Sequence, residues 1–181
     1  MKRLCVYCGS SRGNEPRFEH AAAELGREMA RLGIELVYGG GRAGLMGVVS
    51  SEVMRRGGKA YGVIPRHLMT REIAHTDLTE LIEVETMHER KAMMIDRADA
   101  FVALPGGLGT LEEISEVLSW AQIGLHNKPI GLVNSGGFYD PFVRFVDHLV
   151  SAGFVSPSSV DLLLLDASPL RLLERLIAAA Q

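Results

Sequence analysis

Pro105-Gly106-Gly107-Leu108-Gly109-Thr110-Leu111-Glu112-Glu113 follows directly on the apolar run Ala100-Phe101-Val102-Ala103-Leu104. An apolar run of that length, closed by a glycine-rich turn, reads as a buried strand, and the spacing beyond Thr110 reads as a helix opened by the turn. Glycines let backbone N–H groups face an anion with no Cβ in the way. The first turn of a helix adds unpaired N–H groups and the positive end of its dipole. The stretch is therefore a candidate phosphate cradle. Glu113, one turn into the helix, sets it apart from a generic anion nest, because an acid beside a bound phosphate suggests chemistry on the ligand.

Working outward, apolar or β-branched runs near 3–7, 34–38, 59–64, 81–84, 100–104 and 129–133 read as strands. Helical patterning falls between most of them, near 16–32, 44–56, 87–98, 110–124, 138–152 and 168–180. Asp140 and Ser168 are candidate helix caps beside Pro141 and Pro169. The alternation predicts a doubly wound α/β fold, a mainly parallel Rossmann-like sheet with helices on both faces, in a single domain over residues 1–181. Ligands of such sheets bind beyond the carboxyl ends of the strands. Three glycine turns would open there, around Gly9, around Gly39-Gly40-Gly41-Arg42-Ala43-Gly44 and around Gly107, so Gly9, Gly40, Gly41 and Gly44 are candidate nucleotide-pocket residues. The alternative for any one of them is a tight turn or close helix packing. The second turn contains G-x-G-x-x-G, but Lys59 stands about where a ribose-binding acid is expected, which disfavours a dinucleotide dehydrogenase.

Composition narrows the classes of function. A chain of 181 residues, 47% hydrophobic and 23% charged, suits one globular core, and a net charge of −3 argues against nucleic acid as the main partner and for a small anionic ligand. Met1-Lys2-Arg3 precedes an apolar run too short for a secretory core or a membrane span, so a cytoplasmic protein with no membrane association is expected. Cys5 and Cys8 form C-x-x-C on a strand end, where residues three apart point to opposite faces, and no second Cys or His pair completes a metal site. A structural role is expected for both. Neither a protein-bound metal nor a cofactor is expected, since the histidines lack metal-ligand spacing.

At about 100° per residue, Leu111, Ile114, Val117, Leu118 and Ala121 gather on one face of the helix after the third turn, with Glu113 and Trp120 flanking that stripe. Glu112 and Glu116 fall on the opposite side, where solvated carboxylates are expected. Glu113 would be partly desolvated at the pocket mouth, or a first-turn acid serving the helix dipole. Met87-His88-Glu89-Arg90-Lys91 places two adjacent cations at a helix start, against the dipole. Arg90 can grip phosphate or a purine edge with its planar fork, and Lys91 would act as a point charge. The stretch Pro65 to Glu80, with Arg66, Arg71, Glu72 and His75, is either a lid or substrate wall or a plain solvated loop.

Pro105 to Glu113 resembles the P-G-G-x-G-T-x-x-E signature of the Lonely guy family, and Met87 to Lys91 resembles its M-H-x-R-K signature. The likeness extends to Cys5 to Ser11, Tyr38 to Gly47, Gly62 to Pro65, Leu68 to Ile73 and Trp120 to Gln122. Members are cytokinin riboside 5′-monophosphate phosphoribohydrolases, which cut N6-modified AMP into free base and ribose 5-phosphate. The family also carries the label lysine decarboxylase, for which these residues offer no support. The resemblance implies that Arg90 and Glu113 are catalytic and that Glu72, Lys91, Gly107, Leu108, Gly109, Thr110, Leu111, Glu112 and Ser119 contact a nucleoside 5′-monophosphate. Ser119 and Thr70 stand where plant members often have Thr and Pro. A homodimer with the pocket near its interface is implied as well. Two other readings stay open: a non-catalytic nucleotide carrier or sensor, and a hydrolase that prefers plain AMP. Met69, Met87 and Met94 are candidates for the apolar wall around the base, although core packing explains any one of them equally.

Overall fold

The computed structural model describes residues 1–69, 74–75 and 77–180. Seven strands form one sheet: β1 (Arg3–Tyr7), β2 (Glu35–Tyr38), β3 (Ala60–Pro65), β4 (Glu80–Val84), β5 (Ala100–Ala103), β6 (Ile130–Val133) and β7 (Leu163–Asp166). Their order is β4-β3-β2-β1-β5-β6-β7, and every pairing is parallel. The chain steps outward from β1 to β4 and returns to lay β5 against the other side of β1. The order therefore reverses between β1 and β5, where adjacent loops diverge and leave a crevice. β7 is the strand that the sequence pattern misses. Its Leu163-Leu164-Leu165 run has no β-branched residue and is only half-buried, so pairing with β6 rather than local preference makes it a strand.

Among the described residues seven α-helices accompany the sheet: α1 (Pro16–Arg31), α2 (Gly44–Arg55), α3 (Met87–Arg97), α4 (Leu108–Gln122), α5 (Asp140–Ser151), the single turn α6 (Pro157–Val160) and α7 (Pro169–Ala179). Residues alternate between two cores along each strand. Leu4, Val6, Leu36 and Val102 face one core with α1, α2 and α7, while Cys5, Tyr7, Val37 and Phe101 face the other with α3 and α4. Burial on both faces is why the central strands read as unbroken apolar runs. Cys5 and Cys8 fall in opposite cores as free thiols, both held far above the usual thiol range by burial.

Ser168 caps α7 by accepting from the Arg171 N–H. Asp140 does not cap α5. Tyr139 occupies that position, behind a 3₁₀ turn at Ser135–Gly137, and the Asp140 carboxylate accepts from Asn134 Nδ2 at 2.7 Å. The Tyr139 hydroxyl donates to Leu104 O at 2.7 Å, fastening this turn to the end of β5. Among the described residues no helix is long and apolar enough to cross a membrane.

α1 and α2 pack closely at Gly26, where a Cβ would lie 2.7 Å from Val49 O and 2.9 Å from Glu52 Cβ. Gly26→Ala should lower unfolding stability by about 1–3 kcal/mol despite the better helix propensity of alanine, because backbone must move to admit the methyl. Urea denaturation at unchanged m-value measures this.

Candidate active site

The loops after β1, β2 and β5 and the starts of α3 and α4 enclose a cavity of about 260 Å³ at the carboxyl edge of the sheet, beside the β1/β5 reversal. A larger depression of about 620 Å³ opens at the opposite edge, between His126–Pro129 and Asp161–Leu164. Two of its polar side chains, His126 and Lys128, are engaged within the protein. His126 Nε2 lies 2.9 Å from Val117 O, its Nδ1 accepts from the Lys128 N–H, and Lys128 Nζ donates to Ile95 O. The smaller cavity is the one lined by a buried arginine and a buried glutamate.

Thr86 caps α3 by accepting from the Glu89 N–H, which sets the register that sends Arg90 inward. Arg90 is only 8% exposed. Its Nε donates to Val63 O at 3.1 Å and its Nη2 to Gly39 O at 3.4 Å, so the carboxyl ends of β2 and β3 orient the guanidinium. Nη1 faces Glu113 Oε1 at 3.5 Å. Gly39 permits this approach, since a Cβ there would sit 1.9 Å from Nη2.

Glu113 is 8% exposed and belongs to the buried line Thr110, Glu113, Ile114, Val117 of α4. It does not flank the stripe expected from spacing; Leu111, Leu118 and Ala121 are the partly buried flank. Burial pushes its carboxyl up to about 7, with Glu112 and Glu116 raising it further and Arg90 and Lys91 opposing. Desolvation outweighs an arginine that is near but not in tight contact. A carboxyl that titrates near neutrality, deep in a cleft, suits proton transfer.

α4 begins at Leu108, two residues before the expected start, with Gly107 at the cap and no side chain bonded to the cap. No acidic residue lies in its first turn, so its free N–H groups are open to an anion. Gly106 is sterically required, because its Cβ would overlap Thr110 Oγ1. Gly107 and Gly109 are not: a Cβ on either meets nothing within 4 Å. Both line the cavity, so a side chain there would intrude only on whatever occupies it.

The structure brings together Gly9, Arg90, Gly107, Leu108, Gly109, Thr110, Glu112 and Glu113 around the cavity. Gly40, Gly41 and Gly44 lie outside its lining. Gly40 and Gly44 take positive φ, +76° and +60°, and Gly44 abuts the Ser10 backbone, so turn geometry and packing account for them. Leu111 packs into the core, and Ser119 is exposed farther along α4. Lys91 does not line the cavity; Glu112 and Glu116 hold its ammonium. Glu116 is thus an ion-pair partner rather than a free surface acid. Thr70, Arg71 and Glu72 lie outside the described residues. Ala74 bridges to Gly41, the His75 N–H donates to Gly40 O, and His75 Nδ1 lies 3.0 Å from Ser50 Oγ, which pins this end of the loop to the second glycine turn. Met87 and Met94 line the cavity and Met69 does not, while Met46, Cys8 and Gly39 are lining residues that are not among the expected site residues. For Cys8 and Gly39 the available signal was their position just past the ends of β1 and β2.

Two outcomes are expected. Gly39→Ala should displace the Arg90 guanidinium and change the local spectrum of Arg90 Nε in nitrogen-15 NMR while the fold persists. For Glu113, the folded state binds the proton more tightly than the unfolded chain, so its contribution to stability is intact below about pH 4.5 and is lost as the pH rises through about 7. Glu113→Gln removes that dependence. The stability of the variant relative to wild type should be greater at pH 8 than at pH 5 by on the order of 2 kcal/mol, read from denaturant unfolding at both values.

Residues 46–176 match the family model described as "Possible lysine decarboxylase". That chemistry uses pyridoxal phosphate bound to a lysine. Among the described residues no lysine lines the cavity, and Lys91 is tied to two carboxylates, so these residues do not fit that cofactor. A probable cytokinin riboside 5′-monophosphate phosphoribohydrolase of Oryza sativa subsp. japonica is 49% identical over 97% of this chain and 72% of its own. The cytokinin riboside 5′-monophosphate phosphoribohydrolase LOG of the same species is 54% identical over 86% of this chain and 64% of its own. One from Arabidopsis thaliana is 48% identical, with coverages of 97% and 83%. Among solved structures, the molybdenum cofactor binding protein of Rippkaea orientalis superposes with a TM-score of 0.75 at 20% identity, covering 100% of this chain and 99% of that one. The molybdenum cofactor carrier protein of Chlamydomonas reinhardtii gives 0.74 at 21%, covering 98% of both. At those identities the likeness is one of fold.

Proposed function

The chain belongs to the Lonely guy family, and from that membership and its site we propose that it hydrolyses the N-glycosidic bond of an adenosine 5′-monophosphate, N6-modified or plain, to free base and ribose 5-phosphate. The observation that carries this reading is the juxtaposition of a buried Arg90–Glu113 pair with a glycine cradle whose Cβ positions are empty. Phosphate on the α4 N-terminus would hold the ribose, and Glu113, about one and a half turns along the same helix, lies within the same cavity.

Hydrolysis breaks the bond between the anomeric carbon and the purine nitrogen, sends its electron pair to the base, and adds water oxygen to the carbon. One water proton ends on the base. The transition state is positive on the sugar and gathers electron density on the purine. Ionised Glu113 suits the first charge and can take a proton from the attacking water, while the cation of Arg90 suits the negative charge that develops on the base or sits on the phosphate. A carrier needs no buried carboxylate beside its ligand, which favours the hydrolase over a binding module.

Partners and setting follow the same reading. The substrate is a nucleotide rather than nucleic acid, and the setting is cytoplasmic. Two copies of this chain associate through exposed apolar residues just after α4, on α5 and just after it, including Ile123, Leu125, Phe145 and Phe154. Light scattering should give twice the 19.7 kDa chain mass, and Phe145→Glu should shift it toward the monomer.

Purified protein incubated with isopentenyladenosine monophosphate, AMP and the unphosphorylated riboside should release free base and ribose 5-phosphate from a monophosphate but not from the riboside. No release from any substrate would favour the carrier. Glu113→Gln and Arg90→Ala should each lower kcat by roughly 10²-fold or more, and the acid limb of kcat/KM should lie near neutral pH. Near-normal turnover in Glu113→Gln would remove the carboxylate from the mechanism.

A further inference from the structure

Arg90 and Lys91 are consecutive in α3, yet they go to different places. Arg90 enters the cavity, while Lys91, with 12% of its side chain exposed, crosses to α4 and holds both Glu112 and Glu116, the latter at 3.0 Å. Glu112 and Glu116 are spaced i, i+4, a like-charge arrangement that opposes a helix unless a cation lies between them. Glu113 sits between them in sequence and points inward. Two cations of α3 thus hold three acids of α4: Arg90 faces Glu113 inside the cavity, and Lys91, which does not line it, holds Glu112 at the cavity's lining and Glu116 beyond it.

From this geometry, and resting on the role proposed above for Glu113, we infer that Lys91 is a positioning residue: it neutralises Glu112 and Glu116, fixes α4 against α3, and so sets the ionisation and placement of Glu113. The groups that bear on that carboxyl are Arg90 and Lys91 from α3, Glu112 and Glu116 from α4, and Cys5, Tyr7 and Cys8 from β1 and its end. The last three are held as neutral thiols and phenol by burial, which leaves the α3 cations and α4 acids to set the balance. Removing Lys91 leaves two negative charges beside Glu113 without their counter-ion. The Glu113 carboxyl then keeps its proton to higher pH.

Lys91→Gln, Lys91→Arg and the double variant Lys91→Gln with Glu116→Gln separate this from the other roles of a lysine. Lys91→Gln should move the acid limb of kcat/KM upward by about half a pH unit at low salt, less as salt is added, with KM for the monophosphate little changed. The double variant restores the local charge and should return the limb toward wild type, and Lys91→Arg should keep it there. A roughly tenfold rise in KM with an unmoved limb would overturn the inference and make Lys91 a direct substrate contact. A fall in thermal stability with both kinetic parameters and the limb unmoved would reduce it to a structural tie. Carbon-13 NMR of the Glu113 carboxyl, assigned with Glu113→Gln, reads the same titration without turnover. If the protein hydrolyses nothing, an identical titration in wild type and Lys91→Gln still overturns the inference, independently of the failed assay.

Discussion

A guanidinium buried at the end of a parallel sheet must find acceptors or it destabilises the fold by several kcal/mol. Arg90 finds them in Val63 O and Gly39 O, main-chain groups at the strand ends, and its charge meets Glu113 at 3.5 Å. This constraint reaches far into the structure. It demands glycine at position 39, brings the start of α3 over the ends of β2 and β3, and draws α4 close enough to place a carboxylate in the same cavity. The carboxylate is stabilised only in part. Its pKa of about 7 records how far burial exceeds the attraction of Arg90. Such a group costs the folded state some stability at neutral pH and is correspondingly ready to exchange a proton.

The glycines divide into two kinds on steric grounds. Gly44 and Gly106 are enclosed by protein atoms, and Gly40 and Gly44 take a backbone conformation that side chains disfavour. Their identity is settled by folding. Gly107 and Gly109 face empty space with negative φ, so nothing within the chain requires them. Their absent side chains leave the uncapped N-terminus of α4 bare. The site is thus a crevice, set by the sheet reversal, with one smooth wall of backbone N–H groups and a buried charged pair beside it.

Much of this was legible in the chain. Six of the seven strands could be placed because a strand buried on both faces is a short continuous apolar run, and the six longer helices showed the 3.6-residue period. β7 was not legible, since three leucines carry no local preference for strand and only β6 makes them one. The start of α4 was placed two residues late, because Gly-Leu-Gly carries little helical signal of its own. Glu113 reads as a neighbour of the apolar stripe because hydrophobicity centres that stripe on Leu111, Ile114 and Leu118, whereas packing turns Thr110 and Glu113 inward. Helical angle separated Arg90 from Lys91, but nothing local says that Lys91 would meet Glu112 and Glu116 across α3 and α4.

By itself the sequence determined the alternation of strands and helices, the glycine turn at Pro105 to Gly109 and the presence of an acid just beyond it, because periodicity and turn chemistry act within a few residues. The tertiary structure alone decided the depth of Glu113, the carbonyls that hold Arg90, and the assignment of Lys91 to α4 rather than to the cavity. Those outcomes depend on desolvation and on contacts between residues about 20 to 50 positions apart, which the packing of helices onto the sheet creates and local sequence does not encode.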